Sequence, residues 1–258
     1  MVVRKRDAVS SIVGRCWLVF AFLLQTGAAE AAEKRVALII GNSGYVHMSG
    51  RSNSRQDATD MVSALEKLGF QVIAGYDLDK AGFEASIRDF GEALSGSDVG
   101  VFFYVGRGAQ VAGRNFLIPV DAQPLTLQTL DAQTALLDIV YGSLQARAKT
   151  KILLIDADRD NPLSSTADTK SKTEIVFASP LTGVRTLIGF STQPGNVAFD
   201  GVGGNSPYVA ALLRRIGVVG QDLATILDGV RNDVRTVTNN KQIPWYHSSL
   251  QEKFYFAQ

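Results

Sequence analysis

The chain has 258 residues, 46% hydrophobic and 20% charged, a balance typical of a globular protein with one sizeable core or two small ones. Its formal net charge is +1, and lysine and arginine are spread among acidic residues rather than gathered in a stripe. This composition argues against a disordered or fibrous chain and against nucleic-acid binding.

The first 31 residues differ from the rest of the chain. A basic start, Arg4-Lys5-Arg6, precedes the apolar run WLVFAFLL, and Ala29-Glu30-Ala31 offers a cleavage site. This order predicts a secretory signal peptide that is removed near Ala31, which leaves a secreted or periplasmic domain over residues 32–258. The alternative is a membrane anchor, but the apolar run is about half of the ~20 residues that a spanning helix needs. We expect no membrane association after cleavage.

Cysteine and histidine are scarce. The only cysteine, Cys16, lies inside the predicted signal peptide, so the mature chain has no thiol. A disulfide and a cysteine nucleophile are therefore both excluded after cleavage. The chain has two histidines, His47 and His247, and without cysteine a zinc site would have to rest on carboxylates. We expect no bound metal.

Strands and helices alternate along the first half of the mature chain. Arg35–Gly41 is a continuous apolar run ending in glycine, typical of a strand buried on both faces. The pattern Ser54-Arg-Gln-Asp57 predicts a capping box at the start of a helix, which Gly69 ends. Asp79 is predicted to cap the next helix. That helix carries one apolar stripe, formed by Phe83, Ile87, Phe90 and Leu94.

The same alternation continues to the end of the chain. Further strands are predicted at 71–76, 99–105, 151–155 and 186–191, with a hairpin that turns near 112–115. Further helices are predicted at 136–144, at 223–234 and from Pro207, with an edge strand and a packed tail within 243–256. The polar segment SSTADTKSK, at 164–172, is predicted to be an exposed loop. This order predicts an α/β fold with a mostly parallel sheet of about six strands, whose binding crevice lies at the carboxyl ends of the strands.

Several motifs resemble, in the same order, the caspase-fold cysteine peptidases, and in particular their bacterial metacaspase-like, or orthocaspase, branch. The similar segments are ALIIGNSGY, NSRQDA, FFYVGRG, NFLIPVDA, LLIDADRDNP, AFDGVGGNSPY and QIPWYHSSL. Together they extend over nearly the whole mature chain. The resemblance implies a caspase-like three-layer α/β/α sandwich formed by residues 32–258.

The resemblance also locates two catalytic positions. In active members, a Gly-His-Gly triplet after the third strand carries the general base, and an Asp-Ala-Cys-Arg segment after the fourth carries the nucleophile. The matching residues here are Arg107 and Asp158. Arginine is charged at any ordinary pH and cannot act as a base, and aspartate is a poor nucleophile toward an amide. The two substitutions predict a catalytically inactive domain, a pseudoprotease.

Four residues are the candidates for the site. Because Arg107 and Asp158 carry opposite charges, we expect them to form a salt bridge; the alternative is that both are exposed residues at the rim of the sheet. In metacaspases, acids at positions matching Asp57 and Asp156 line the pocket for a basic substrate side chain. The resemblance thus implies a peptide or protein partner with basic side chains. The alternatives are the capping box for Asp57 and hydrogen bonds from loop amides for Asp156.

Two classes of function follow from this pattern. The first is an inactive caspase-like domain that binds peptide or protein partners. A mainly structural partner of an active relative is a further possibility, which the sequence does not separate from the first. The second is a residual hydrolase or endopeptidase of the peptidase C14 family that uses Asp158 or a pocket acid instead of cysteine. Active metacaspases are often calcium-dependent, but only the resemblance implies calcium here, so we expect no cofactor. Neither histidine lies at a position that the family uses.

Overall fold

The computed structural model describes residues 32–111, 113–123, 126, 128–158, 183–201 and 203–258. The predicted signal peptide at 1–31 and the predicted loop at 164–172 lie outside the described residues. Glu33–Gln258 form one compact unit. In chain order its elements are β1 (Arg35–Gly41), α1 (Ser54–Lys67), β2 (Gln71–Tyr76), α2 (Lys80–Ala93), β3 (Ser97–Gly106), β4 (Gly108–Val111), β5 (Arg114–Leu117), α3 (Leu130–Gln133), β6 (Ala135–Leu136), α4 (Leu137–Arg147), β7 (Ala148–Ala157), β8 (Thr186–Phe190), α5 (Pro207–Leu213), α6 (Leu223–Val237) and β9 (Trp245–Ser248).

A six-stranded sheet forms the centre of the fold, with the strand order β2-β1-β3-β7-β8-β9. Its first five strands pair in parallel, and β9 joins β8 antiparallel as the edge strand. The predicted mostly parallel sheet of about six strands is therefore confirmed. Strands β3 and β7 occupy its middle and carry long apolar runs, as expected where both faces of a sheet are covered.

Helices cover both faces of this sheet and give the predicted three layers. Side chains along β1 alternate between two cores, with Ala37 and Ile39 in the first and Val36, Leu38 and Ile40 in the second. The first core also contains residues of α1, α5 and α6. The second contains residues of α2 and α4, including the whole predicted stripe of α2. No helix within the described ranges is long and apolar enough to cross a membrane.

A second, three-stranded sheet lies after β3. The predicted hairpin is confirmed as the antiparallel pair of β4 and β5, and β6 adds a third strand next to β5. The cap of α2 is also confirmed, since Asp79 Oδ1 accepts the N–H of Gly82 at 2.8 Å. In the tail, Phe254 and Phe256 are buried in the first core, as the predicted packed terminus requires.

Candidate functional site

Arg107 and Asp158 each follow a central strand directly. Strand β3 ends at Gly106 and β7 ends at Ala157, and the parallel register pairs these two residues with each other. The next residue of each strand therefore emerges beside the other at the carboxyl edge of the sheet. There Arg107 Nη1 donates a hydrogen bond to Asp158 Oδ2 over 2.8 Å, so the expected salt bridge is present.

The surroundings of this pair are closed rather than open. Asp158 has 5% of its side chain exposed, and its Oδ1 accepts the N–H of Ala198 at 3.0 Å. Arg107 is 27% exposed and donates back to the loop before α1, at the carbonyl (3.1 Å) and hydroxyl (3.0 Å) of Ser49 and the carbonyl of Gly50 (3.3 Å). The alternative of two exposed rim residues is therefore wrong. The pair therefore connects the loop before α1 to the ends of β3 and β7.

The backbone of Arg107 is fixed by two tyrosine hydroxyls. Tyr45 accepts the N–H of Arg107 at 2.6 Å, and Tyr104 donates to its carbonyl at 2.7 Å. Glycine is required at positions 106 and 108 because neighbouring atoms lie too close for a Cβ atom, and not because of the backbone angles. A Cβ at Gly106 would lie 2.6 Å from the Tyr104 hydroxyl, and one at Gly108 would lie 2.8 Å from a carbonyl oxygen just past β7. The chain thus needs glycine on both sides of position 107.

Ser206 joins the two candidate pocket acids. Its N–H donates to Asp57 Oδ1 at 2.9 Å, and its hydroxyl donates to Asp156 Oδ2 at 2.6 Å. The same hydroxyl accepts the N–H of Val209 at 3.1 Å, which makes Ser206 the N-cap of α5. Both acids are buried. The alternative that loop amides satisfy the Asp156 side chain is wrong, because its hydrogen-bond donor is a hydroxyl.

The predicted capping box at the start of α1 is also wrong. The helix begins at Ser54, and the flanking residue Asn53 makes no cap hydrogen bond with its side chain, which donates instead to the carbonyl of Asp200. Asp57 turns toward Ser206, far along the sequence, rather than back to the helix terminus. A tertiary partner has therefore replaced the local partner that the sequence pattern predicts.

Asp57 is an unusual acid in this site. Burial and the nearby charge of Asp156 raise its pKa from 3.8 to about 7, against the opposing effects of the Ser206 N–H and the Arg51 charge. Two adjacent carboxyls in a dry environment resist double ionisation. Asp57 therefore exchanges its proton near neutral pH, where an ordinary aspartate is fully charged.

Arg51 completes the site, although nothing in the sequence marks it. It lies in the loop between β1 and α1, and its side chain is 1% exposed. Its Nη1 donates to the carbonyls of Gly106 (3.2 Å) and Asp156 (2.9 Å), and its Nε donates to Asp200 Oδ1 (2.6 Å). A buried cation thus sits against the ends of both central strands.

Comparison with known proteins establishes the family of the chain. A family model of the caspase domain, in peptidase C14, matches residues 34–255. The chain belongs to the caspase domain family. The crystal structure of caspase-1 from Spodoptera frugiperda resembles it with a TM-score of 0.64 and 18% sequence identity, covering 88% of this chain and 90% of that one. At this identity the likeness concerns the fold, and it confirms the expected caspase-like α/β architecture.

Two curated proteins are similar in sequence to this caspase domain. They are the mucosa-associated lymphoid tissue lymphoma translocation protein 1 of Homo sapiens and its homolog in Mus musculus, each 25% identical over 241 residues. The matched region covers 89% of this chain and 27% of either relative. The chain therefore spans about a quarter of the length of the curated relatives that it matches.

The two histidines of the caspase domain lie in the loop before α1 and on the edge strand of the sheet. His47 Nε2 is 2.7 Å from the side-chain nitrogen of Gln123, and His247 lies on the edge strand β9. Neither is a hydrogen-bond partner of Arg107 or Asp158. In the part of the chain that the structure describes, no three His, Asp or Glu side chains are grouped so that they could hold a metal ion.

Proposed function

We propose that this caspase domain binds peptides without hydrolysing them and belongs to the orthocaspase branch as an inactive member. The observation that carries the proposal is the 2.8 Å ion pair between Arg107 and Asp158 at the two positions that match the family's base and nucleophile. A guanidinium has no lone pair with which to take a proton. Because the only cysteine of the chain is Cys16, no other thiol can replace the missing one.

A hydrolase that uses a carboxylate base is the second candidate. The pKa of Asp57, raised to about 7, suits a general base, and this observation favours the candidate. However, Asp57 is buried and bound to Ser206, and both oxygens of Asp158 already accept hydrogen bonds. At Asp158 an attacking water would have to displace one of these donors. At Asp57 the second oxygen, Oδ2, accepts no hydrogen bond from a described residue, but it is buried, so a water would first have to reach it. The geometry therefore supports binding more strongly than hydrolysis.

A groove lined by the residues that follow Ala198, whose N–H binds Asp158, supports the binding half of the proposal. It has a volume of about 520 Å³, and its lining includes Phe199, Asp200 and Val237. Phe199 and Val237 expose apolar surface, Asp200 adds a negative charge and Lys241 adds a positive one. Apolar walls with a few convergent polar groups are typical of ligand sites. We propose that the partner is a peptide or protein segment with a basic side chain and an apolar neighbour.

The decisive experiment is hydrolysis of fluorogenic peptides with Arg, Lys or Asp before the scissile bond, by residues 32–258 with and without calcium. We expect no cleavage by the wild type. The double variant Arg107→His plus Asp158→Cys is run beside it, and activity there would support a preserved substrate site. Cleavage by the wild type that is lost in Asp158→Ala would contradict the proposal. So would the absence of binding to Arg- and Lys-containing peptides at millimolar concentration.

We propose further that residues 1–31 are a signal peptide and that the domain acts outside the cytoplasm. The support is the basic start, the short apolar run and the Ala29-Glu30-Ala31 site. Mass spectrometry of the protein purified from its native cells is expected to find a new N-terminus near Ala32. A chain that retains residues 1–31 would contradict the proposal.

A further inference from the structure

Arg51 is the most deeply buried cation of the site, and every nitrogen of its guanidinium faces an acceptor. Its Nε binds Asp200 Oδ1 at 2.6 Å, and its Nη1 binds the carbonyls of Gly106 (3.2 Å) and Asp156 (2.9 Å). Its Nη2 donates to the carbonyl of Phe199 at 3.4 Å and lies 3.6 Å from Asp156 Oδ1. A buried charge is tolerated only with such complete pairing. The surrounding backbone and acids thus form a cage shaped for a guanidinium.

The charge of this cage favours a cation. Burial by itself would lower the pKa of Arg51, but the charges of Asp156, Asp158 and Asp200 outweigh burial and raise that pKa above its usual value. Asp57 lies next to Asp156 in the same region and adds a fourth acid. Arg51 and Arg107 are the two cations that oppose them. The four acids therefore outnumber the two arginines around the cage, although Asp57 is partly protonated near neutral pH.

One buried oxygen of the cage receives no hydrogen bond from Arg51. Asp156 Oδ1 accepts no hydrogen bond from any described residue, and its nearest cationic atom is Arg51 Nη2, at 3.6 Å. An arginine that approached along a different path would be free to place a donor at this oxygen. The cage therefore keeps one hydrogen-bond acceptor available for a guanidinium other than that of Arg51.

One residue, Asp200, connects the cage to the groove of the proposed peptide site. Asp200, which binds Arg51 Nε, lines both the cage and the groove and is partly exposed. Arg51 itself is carried by a loop that forms no helix or strand, and Arg107 holds that loop at Ser49 and Gly50. A basic side chain of a bound peptide would meet Asp200 first and Arg51 behind it.

We propose that the ends of β3 and β7 form a guanidinium-binding site whose resident ligand is the chain's own Arg51, and that an arginine of a peptide partner enters by displacing Arg51. The displacement rests on the proposed peptide binding, whereas the resident occupancy does not. The affinity for the partner therefore depends on Arg51, because the free energy needed to displace Arg51 reduces the net free energy of binding.

The first test removes the resident side chain and supplies it in solution. Ethylguanidinium contains the atoms that Arg51→Ala removes beyond Cβ. We expect Arg51→Ala to have a lower melting temperature than the wild type and low millimolar ethylguanidinium to raise it, with no such rise in the wild type. Ethylammonium is the control ligand, because it lacks the planar fork of donors. Arg55→Ala, which truncates an exposed arginine on α1, is the control variant.

Loss of the effect in Arg51→Ala plus Asp156→Asn would support the site. An equal response to ethylammonium, or no response at all, would overturn it. If Arg51→Ala does not fold, its refolding yield with and without ethylguanidinium becomes the measurement. A yield that ethylguanidinium does not raise would overturn the site equally.

The second test concerns displacement. Calorimetry compares the peptide acetyl-Ala-Arg-Ala-amide with the same peptide carrying uncharged citrulline. We expect Arg51→Ala to bind the arginine peptide at least about tenfold more tightly than the wild type does, and the citrulline peptide to bind weakly to both. In the wild type, the arginine peptide is expected to speed amide hydrogen exchange at residues 49–52.

The outcomes separate this inference from the proposed function. If Arg51→Ala binds ethylguanidinium but neither protein binds the peptide, the guanidinium site stands and the peptide-binding function is wrong. If both proteins bind both peptides equally well, peptide binding stands and the displacement of Arg51 is wrong.

Discussion

The contribution of the Arg107–Asp158 pair to stability depends on how far each partner is removed from water. Asp158 is enclosed, whereas Arg107 reaches the surface and keeps part of its hydration. The net gain from such a pair is small, because dehydration of the carboxylate offsets much of the attraction. Removal of one partner has a larger effect than the pair contributes, since it leaves the other charge without compensation.

A double-mutant cycle tests this pairing. Arg107→Ala is expected to lower the free energy of unfolding by about 2 kcal/mol, because Asp158 stays enclosed without its cation. Asp158→Ala should do the same, and the double variant should lose less than the sum, with a coupling of about 1–3 kcal/mol in urea unfolding.

The exposed pair Arg114–Asp131 is the matched control. Its coupling is expected to lie near zero, as for most surface pairs. A coupling for Arg107 and Asp158 no larger than that of the control would contradict the enclosed ion pair.

Asp57 makes stability depend on pH in an unusual direction. Its pKa in the fold, about 7, exceeds its ordinary value of 3.8, so the folded chain holds this proton more tightly than the unfolded chain. The contribution of Asp57 to stability is therefore present at low pH and is lost as the pH rises toward and through 7.

The replacement Asp57→Asn removes this titration. We expect the melting temperature of Asp57→Asn, relative to wild type, to be higher at pH 8 than at pH 5. Thermal unfolding at the two pH values measures the difference, and Asp89→Asn, at an exposed position on α2, is the control. A difference that stays constant with pH, or changes in the opposite direction, would contradict the raised pKa.

Individual residues of the site were predictable only where the strand pattern alone positioned them. Arg107 and Asp158 follow apolar strands, and the sequence predicts both their place and their pairing. Arg51 has no such signal, because its acceptors come from segments 55 to 149 residues away along the chain. Asp57 shows the opposite case: the local pattern Ser-x-x-Asp fits a capping box, but Ser206 competes successfully for the carboxylate.

At the level of elements, the start of α5 contributes more than a helix cap. The hydroxyl of Ser206 accepts from Val209, as an N-cap does, and donates to the buried Asp156 at the end of β7. One side chain therefore fixes both the helix terminus and a carboxylate of the site. The two effects can be separated by comparison with a helix whose cap has a single role.

Asp79 provides that comparison, because its side chain caps α2 by a hydrogen bond to Gly82. Asp79→Ala is expected to lower the free energy of unfolding by about 1 kcal/mol, as for an ordinary cap. Ser206→Ala should lower it by about 1–3 kcal/mol more, since Asp156 also loses its donor. Chemical denaturation of the two variants measures the difference, and equal losses would contradict the second role of Ser206.

The elements themselves were largely predictable, because long apolar runs and helical stripes agree with their final burial. The exceptions are short. Helix α3 and strand β6 have four and two residues, too few for a periodic pattern, and β6 exists because β5 offers it an edge. Strand β7 begins at Ala148, three residues before its apolar run, because β3 extends beside it and provides pairing.

On the scale of the whole molecule, the tail closes the first core. Phe256 is buried, contacts Phe70 and Phe254 through its ring, and offers its carbonyl to Arg35 Nη1 at 2.7 Å. Arg35 begins β1, so the last residues are bound to the first strand. Phe256→Ala is expected to lower the free energy of unfolding by about 3–5 kcal/mol in urea unfolding.

Phe199→Ala is the matched control for this replacement, because Phe199 is partly exposed in the groove. Its truncation is expected to change the free energy of unfolding by less than about 1 kcal/mol. Similar losses for the two variants would contradict the role of the tail in the core.

The two tyrosines beside position 107 have a consequence for protein engineering. Tyr45 and Tyr104 hold the peptide groups of Arg107, and Ile118 donates its N–H to the same carbonyl at 3.1 Å. None of these contacts depends on which side chain is present. Position 107 is therefore a preorganised backbone site at which residues can be exchanged while the main chain stays in place. A library of replacements at position 107 would sample new chemistries on a scaffold that does not need to be redesigned.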